Sequence, residues 1–144
     1  AAKEFWGDKR CEGIEMSIMH NHDQPAPLVR HVQNFDRAVE IIKQERGKIT
    51  VVAINNAFAA NLIDKCVLAG LKIPEDYQLI AFDDNPLYRS YNLTSLGFPM
   101  EEVGKVFGRM ICDKSLLQDY RGKVSVKLNS KLIKRETLKL NITT

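Results

Sequence analysis

The sequence predicts an open, mostly parallel α/β sheet with helices on both faces. Residues 49–54 (Ile-Thr-Val-Val-Ala-Ile) form a continuous β-branched run without alternation, which suits a strand covered on both sides, and residues 78–82 give a second such strand. Segments with apolar residues at helical spacing lie between and around these runs. Connections are short and marked by Gly, Pro, Asn and Asp. Strand and helix therefore alternate as in βαβ units, whose right-handed crossovers put helices on both faces.

In chain order, the first helical signal runs from about residue 9 to 19, with Cys11, Ile14 and Ile18 at helical spacing. Residues 20–27 are polar with two prolines and read as a loop, and residues 28–32 as a short strand. Asn34 is an N-cap for an amphipathic helix of about 12 residues in which Phe35, Ala38, Val39 and Ile42 share a face, ending near Gly47. Asn55-Asn56 closes the strand at 49–54, and the helix after it buries Phe58, Leu62, Ile63, Cys66 and Val67, with Gly70 as its C′ residue. A turn at residues 72–76, set by Pro74, leads into the strand at 78–82, which Asp83-Asp84-Asn85-Pro86 terminates. A short strand near residues 93–97, a helix from about 100 to 116, and extended segments at 124–128 and 132–134 complete the chain.

Bulk properties bound the function. A chain of 144 residues buries a core of its own, and 44% hydrophobic with 27% charged residues is the balance of a soluble globular domain. No apolar run approaches the length of a membrane span, and the first residues hold no signal-peptide core. Cys11, Cys66 and Cys112 are odd in number and far apart, which reads as reduced thiols in a cytoplasmic protein. The net charge of +3 is too small to argue for nucleic acid, although residues 121–144 carry seven cations against the single acid Glu136. Basic and apolar residues alternate at 123–128, which suits a half-buried strand with a solvated face.

In an open α/β sheet, ligands bind outside the carboxyl ends of the strands. Two strands end there in polar pairs, Asn55-Asn56 and Asp83-Asp84. An amide beside a carboxylate suits a polyhydroxylated ligand, since each bonds neighbouring hydroxyls; the same residue types also cap helices and make turns.

The segment 49–59 (Ile-Thr-Val-Val-Ala-Ile-Asn-Asn-Ala-Phe-Ala) resembles the pattern "ITAVVAxND-x-xA" of LacI/GalR-type transcription regulators. Residues 68–76 are similar to that family's "xxGLxVPED", residues 79–84 to "VVGFDD", residues 93–96 to "LTTV", and residues 132–137 to the terminal "LVxRxST". The helix beginning Met100-Glu101-Glu102-Val103-Gly104 looks like the one that follows in the family, so the motifs fall in order over residues 48–138. The resemblance implies a C-terminal subdomain of a periplasmic-binding-protein-like fold, incomplete at its N-terminus. It divides the chain into a subdomain of residues 8–92 and 121–138, and a segment 93–120 that would pack on a missing N-terminal subdomain. It also implies a sugar or sugar phosphate effector, operator DNA bound by a head absent from these residues, a homodimer, no membrane, no catalysis and no cofactor.

Effector-binding residues follow position by position. Asn55 matches the family's ligand-binding Asn and Asp83 the first Asp of its pair, while Arg10, in Arg10-Cys11-Glu12-Gly13, resembles the Arg that opens an "RxxGF" helix. Phe98 lies near a position that presents a side chain to ligand, where its ring can stack on a sugar or serve the core. Asn56 stands where the family has Asp, Ala81 where it has Gly, and no aromatic follows Gly13. Residues 3–7 make a poor central strand, so the resemblance predicts a fragment with uncovered apolar surface, open to pairing with a second copy and weak in ligand binding by itself.

Rival classes have less support in the residues. His20-Asn21-His22-Asp23 has a spacing that can ligate a metal but sits in a Pro-flanked loop with no further ligands, so no metal is expected. Cys66 lies mid-helix, away from any helix N-terminus, and no GxSxG or Gly-rich phosphate loop is present. An exported sugar-binding protein of a transport system shares the fold and is the alternative reading.

Overall fold

The computed structural model describes residues 5–20, 28–112 and 126–139. Helix α1 spans Phe5–His20, α2 Phe35–Gln44, α3 Asn56–Leu68 and α4 Met100–Cys112. Strands β1 (Thr50–Ala53), β2 (Gln78–Asp83), β3 (Thr94–Gly97) and β4 (Lys131–Ile133) form one sheet in the order β1-β2-β3-β4. The first three are parallel and β4 pairs antiparallel on the edge, so the sheet is open and mostly parallel as the apolar runs predict.

The α2 helix begins where Asn34 accepts hydrogen bonds from the backbone N–H of Asp36 and Arg37, satisfying donors the first turn leaves unpaired. It ends at Gln44, and the chain turns through Gly47 at φ +73°, a conformation that glycine adopts without steric cost. Val39 and Ile42 face α3, and α3 in turn lies on β1 and β2. Strand periodicity turns Leu79 and Ala81 of β2 toward α3, and both are fully buried. With Ala53, Ala59, Leu62, Ile63, Cys66, Leu71, Tyr77 and Leu93 they make one core. Each large aliphatic member stabilises the fold by about 1.5–3 kcal/mol through lost water contact.

A second set of bonds ties the C-terminal segment to the sheet. The Thr137 hydroxyl accepts from the Thr94 N–H and donates to the Leu79 carbonyl, both at 2.8 Å, while the Leu79 N–H donates to the Thr137 carbonyl at 2.8 Å. One residue thus bridges β2 and β3, and Thr137 is only 2% exposed. Among the described residues, every buried side-chain nitrogen or oxygen has a hydrogen-bond partner.

Several sequence expectations are corrected. Residues 28–34 form no strand; Leu28 is 77% exposed, so nothing pays for extending it against the sheet. The first helix starts at Phe5 rather than residue 9. On α3 the inward positions are Ala59, Ala60, Leu62, Ile63 and Cys66, whereas Phe58 and Val67 are exposed. Of the segment 124–128, residues 126–128 are not strand and the rest lies outside the described residues, as does the end expected for α4 at 116. The loop expected at 20–27 begins with His20 as the last residue of α1; the remainder is also outside them.

The helices are unevenly placed. Both α2 and α3 cover one face, while α1 reaches the other at the carboxyl end of β2, where Arg10 lies over the Phe82 ring. On α4 no residue is buried: Met100, Phe107 and Ile111 are all more than half exposed. The β3 strand, which opens the segment 93–120, is an inner strand of this sheet.

Candidate functional site

Three of the four residues singled out by sequence meet at the guanidinium of Arg10. Its Nη2 donates to Asp83 Oδ1 at 2.9 Å, its Nη1 donates to the Ile54 carbonyl, and its Cζ lies 4.8 Å from the Phe82 ring centre and 5.5 Å from that of Phe98. A guanidinium over aromatic faces is held by the ring quadrupole as well as by its hydrogen bonds. Arg10 and Asp83 are about three-quarters and two-thirds buried, so their attraction is less screened than on an open surface.

Sheet register explains the convergence. Ala53 pairs with Ala81 and Asp83 with Gly97, so β1, β2 and β3 all run out at one edge. Ile54, Asn55, Asp83 and Phe98 are the first residues past or at those ends. Asn55 is at once the N-cap of α3: its carboxamide oxygen accepts from the Phe58 N–H at 2.8 Å. Capping occupies the oxygen and leaves the amide NH2 as the group that can meet a ligand. Both readings of this Asn, cap and ligand donor, therefore fit the geometry.

The β2 strand ends in an unusual corner. Asp83 has φ +93° and Asp84 φ +50°, two successive non-glycine residues in a region that costs an L-residue roughly 1–2 kcal/mol. Asp and Asn tolerate it better than other types, which gives the Asp-Asp pair a backbone role as well as a chemical one. The Asp84 carboxylate accepts from Arg135 Nη1 at 2.6 Å, and Asn85 N–H donates to the Asn56 carboxamide oxygen. Asn56, 2% exposed, completes its bonding by donating to Ser95 Oγ at 3.2 Å. An amide at this position supplies a donor and an acceptor together; a carboxylate supplies acceptors only.

Sequence reasoning missed Phe82, Ile54 and Arg135. Phe82 reads as a core residue in an apolar run, but alternation along β2 sets it opposite Leu79 and Ala81, on the face where α1 arrives. The role of the Ile54 carbonyl is backbone chemistry, which side-chain identity does not signal. Arg135 was visible as part of a terminal motif, yet its pairing with Asp84 spans 51 residues of chain.

Other candidates stand apart from this edge. Cys66 is fully buried, and burial pushes its thiol up from the ordinary value, opposite to what activates a nucleophile. His20 Nδ1 lies 2.7 Å from the Met16 carbonyl in its own helix, His22 and Asp23 lie outside the described residues, and no cluster of metal-ligating side chains occurs among those described. No helix among them is long and apolar enough to cross a membrane.

Comparison with known proteins agrees with the fold. The family model of the periplasmic binding protein-like domain matches residues 2–138. The HTH-type transcriptional repressor PurR of Vibrio atlanticus (strain LGP32) is 28% identical over 104 residues, 71% of this chain and 31% of that protein. Among solved structures, the transcription regulator CcpA of Lactococcus lactis superimposes with a TM-score of 0.66 at 20% identity, over 96% of this chain and 53% of that one. A LacI family transcriptional regulator from Enterococcus faecium, solved with bound ribose, gives a TM-score of 0.63 at 23% identity, over 91% and 51%. The chain thus spans less than a third of the length of the curated repressor and about half of the solved chains. On the match across residues 2–138, this chain belongs to the periplasmic binding protein-like domain family.

Proposed function

We propose that this chain is the effector-binding and dimerisation region of a bacterial transcription regulator, acting in the cytoplasm and sensing a small polyhydroxylated ligand, a sugar or sugar phosphate. The observation that carries the reading is the meeting of Arg10, Asp83 and two aromatic rings at the carboxyl edge of parallel strands. Arg10 offers fixed donors, Asp83 a charged acceptor for hydroxyls, Asn55 an amide donor, and Phe98, 38% exposed, an apolar surface for a sugar's C–H face. The ribose held by the Enterococcus faecium regulator supports a sugar in this fold.

In this reading, ligand bridging Arg10, Asn55 and Asp83 to an opposing subdomain favours one relative orientation of the two. That orientation changes how paired DNA-binding heads outside residues 1–144 fit their operator, a coupling equal in both directions. The exposed apolar side chains of α4, Phe107 and Ile111 among them, support burial against further protein, a second copy included.

Calorimetric titration of sugars, sugar phosphates and purines into the full-length regulator, with Asp83→Ala beside it, tests the site. A saturable ligand lost in the variant supports it. Equal silence in both proteins across the panel overturns the small-ligand reading, and a monomeric mass at high concentration by light scattering overturns the dimer.

A further inference from the structure

Arg135 follows β4 and hydrogen-bonds Asp84, Leu93 and Thr94, so it grips the corner that carries Asp83. Its Nη1 donates to Asp84 Oδ1 and to the Leu93 carbonyl, both at 2.6 Å, and Arg135 and Asp84 are each about four-fifths buried. Its backbone is fixed independently: the Arg135 N–H donates to Thr94 Oγ1 at 2.9 Å, and that hydroxyl donates back to the Arg135 carbonyl at 3.1 Å. The side chain therefore springs from an anchored point on the sheet edge.

What it holds is the pair of positive-φ residues, Asp83 and Asp84. Such a corner persists only where its surroundings over-determine it. Arg135 holds Asp84 from the β4 side, and Asn56 holds the N–H of Asn85 from the α3 side. Gly97 supplies the floor: a Cβ there would stand 3.3 Å from the Asp84 Cβ and 2.9 Å from Ile133 Cδ1. Asp83 is covalently fixed to this clamped residue, so the direction of its carboxylate follows from the clamp.

We propose that Arg135 is a positioning residue: by holding Asp84 in the left-handed corner it aims the Asp83 carboxylate at Arg10. This deepens the effector-site reading and rests on it for its functional meaning, but the geometry it asserts is tested without a ligand. The position would couple the C-terminal strand to the site's affinity, since anything that withdraws Arg135 frees Asp83 to leave Arg10.

The test is NMR of the Arg10 guanidinium in the full chain, where restricted rotation of its nitrogens reports the hold by Asp83 and Ile54, with Asp83→Asn as the released control. Arg135→Met is expected to release Arg10 while amide protection in α3 and β2 persists; a guanidinium still held would overturn the proposal. Glycine adopts positive φ freely, so adding Asp84→Gly to Arg135→Met is expected to restore the hold. Failure to restore it would mean Arg135 acts otherwise than through the corner. Should Arg135→Met lose core protection, Asp84→Gly alone decides: Arg10 held supports the corner mechanism and Arg10 released defeats it. A titration of D-ribose and the other sugars that finds no ligand for the wild-type protein would remove the effector reading and leave these outcomes intact.

Discussion

Arg10 of α1 donates to the Asp83 carboxylate at 2.9 Å, joining residues 73 apart in sequence. The same side chain reaches the Ile54 carbonyl, so one residue ties the N-terminal helix to the ends of two adjacent strands. A further link, between Glu15 and His31 at 2.6 Å, is half exposed and correspondingly weak. Arg10 is thus one of the ties between α1 and the sheet, and it sets a positive charge against Asp83 in the proposed site.

Arg10→Met should loosen α1 on the sheet. Loss of a part-buried charged pair and a carbonyl bond costs about 1–2 kcal/mol, and an isolated helix of this length is marginal in water. Hydrogen exchange should show α1 amides opening roughly tenfold faster, with α3 and β2 unchanged. Unaltered protection of α1 would show that other contacts hold it.

Thr137→Val keeps the side-chain shape and removes the hydroxyl that serves both Thr94 and Leu79. A buried N–H left without an acceptor costs about 1–3 kcal/mol, so the unfolding free energy should fall by that amount, read as a lower denaturant midpoint at unchanged slope. A change under about 0.5 kcal/mol would mean that the C-terminal segment is not stapled to the sheet in solution.

Leu79→Ala and Leu87→Ala make a paired test of where the core lies. Leu79 is fully buried beneath α3, and its truncation should cost about 2–5 kcal/mol. Leu87 is 84% exposed in the 3-10 turn Pro86–Tyr91, and its loss should lie within about 0.5 kcal/mol. Equal effects would contradict the placement of the sheet face.

Stability should decline in alkali for a specific reason. Burial pushes the Cys66 thiol and the Tyr77 hydroxyl up from their ordinary values of 9.0 and 10.0, so the folded chain keeps protons that the unfolded chain releases. Unfolding is then favoured increasingly as pH climbs past those ordinary values, and the stabilisation present below them is lost. Denaturant midpoints measured from pH 8 upward should fall, and Cys66→Ala should remove the lower part of the slope. A thiol reagent at neutral pH should modify the exposed Cys112 and spare Cys66.

The sequence by itself determined strands β1 and β2, the caps at Asn34 and Asn55 and the turn glycines at 47 and 70, because these follow from local periodicity, hydrogen-bonding side chains and backbone freedom. It also marked Arg10, Asn55, Asp83 and Phe98 through motif spacing, and the structure brings three of them onto one guanidinium and sets the fourth directly after the carbonyl that guanidinium binds. It misread residues 28–32, where an apolar stretch finds no partner strand, and two positions of α3, Phe58 and Val67, which are hydrophobic yet exposed. Only the tertiary structure decided that Phe82 lies beneath Arg10, that Arg135 holds Asp84, and that Asn56 bridges Ser95 to Asn85. Those contacts join residues tens of positions apart, and the register between strands, which no single segment encodes, is what brings them within hydrogen-bond reach.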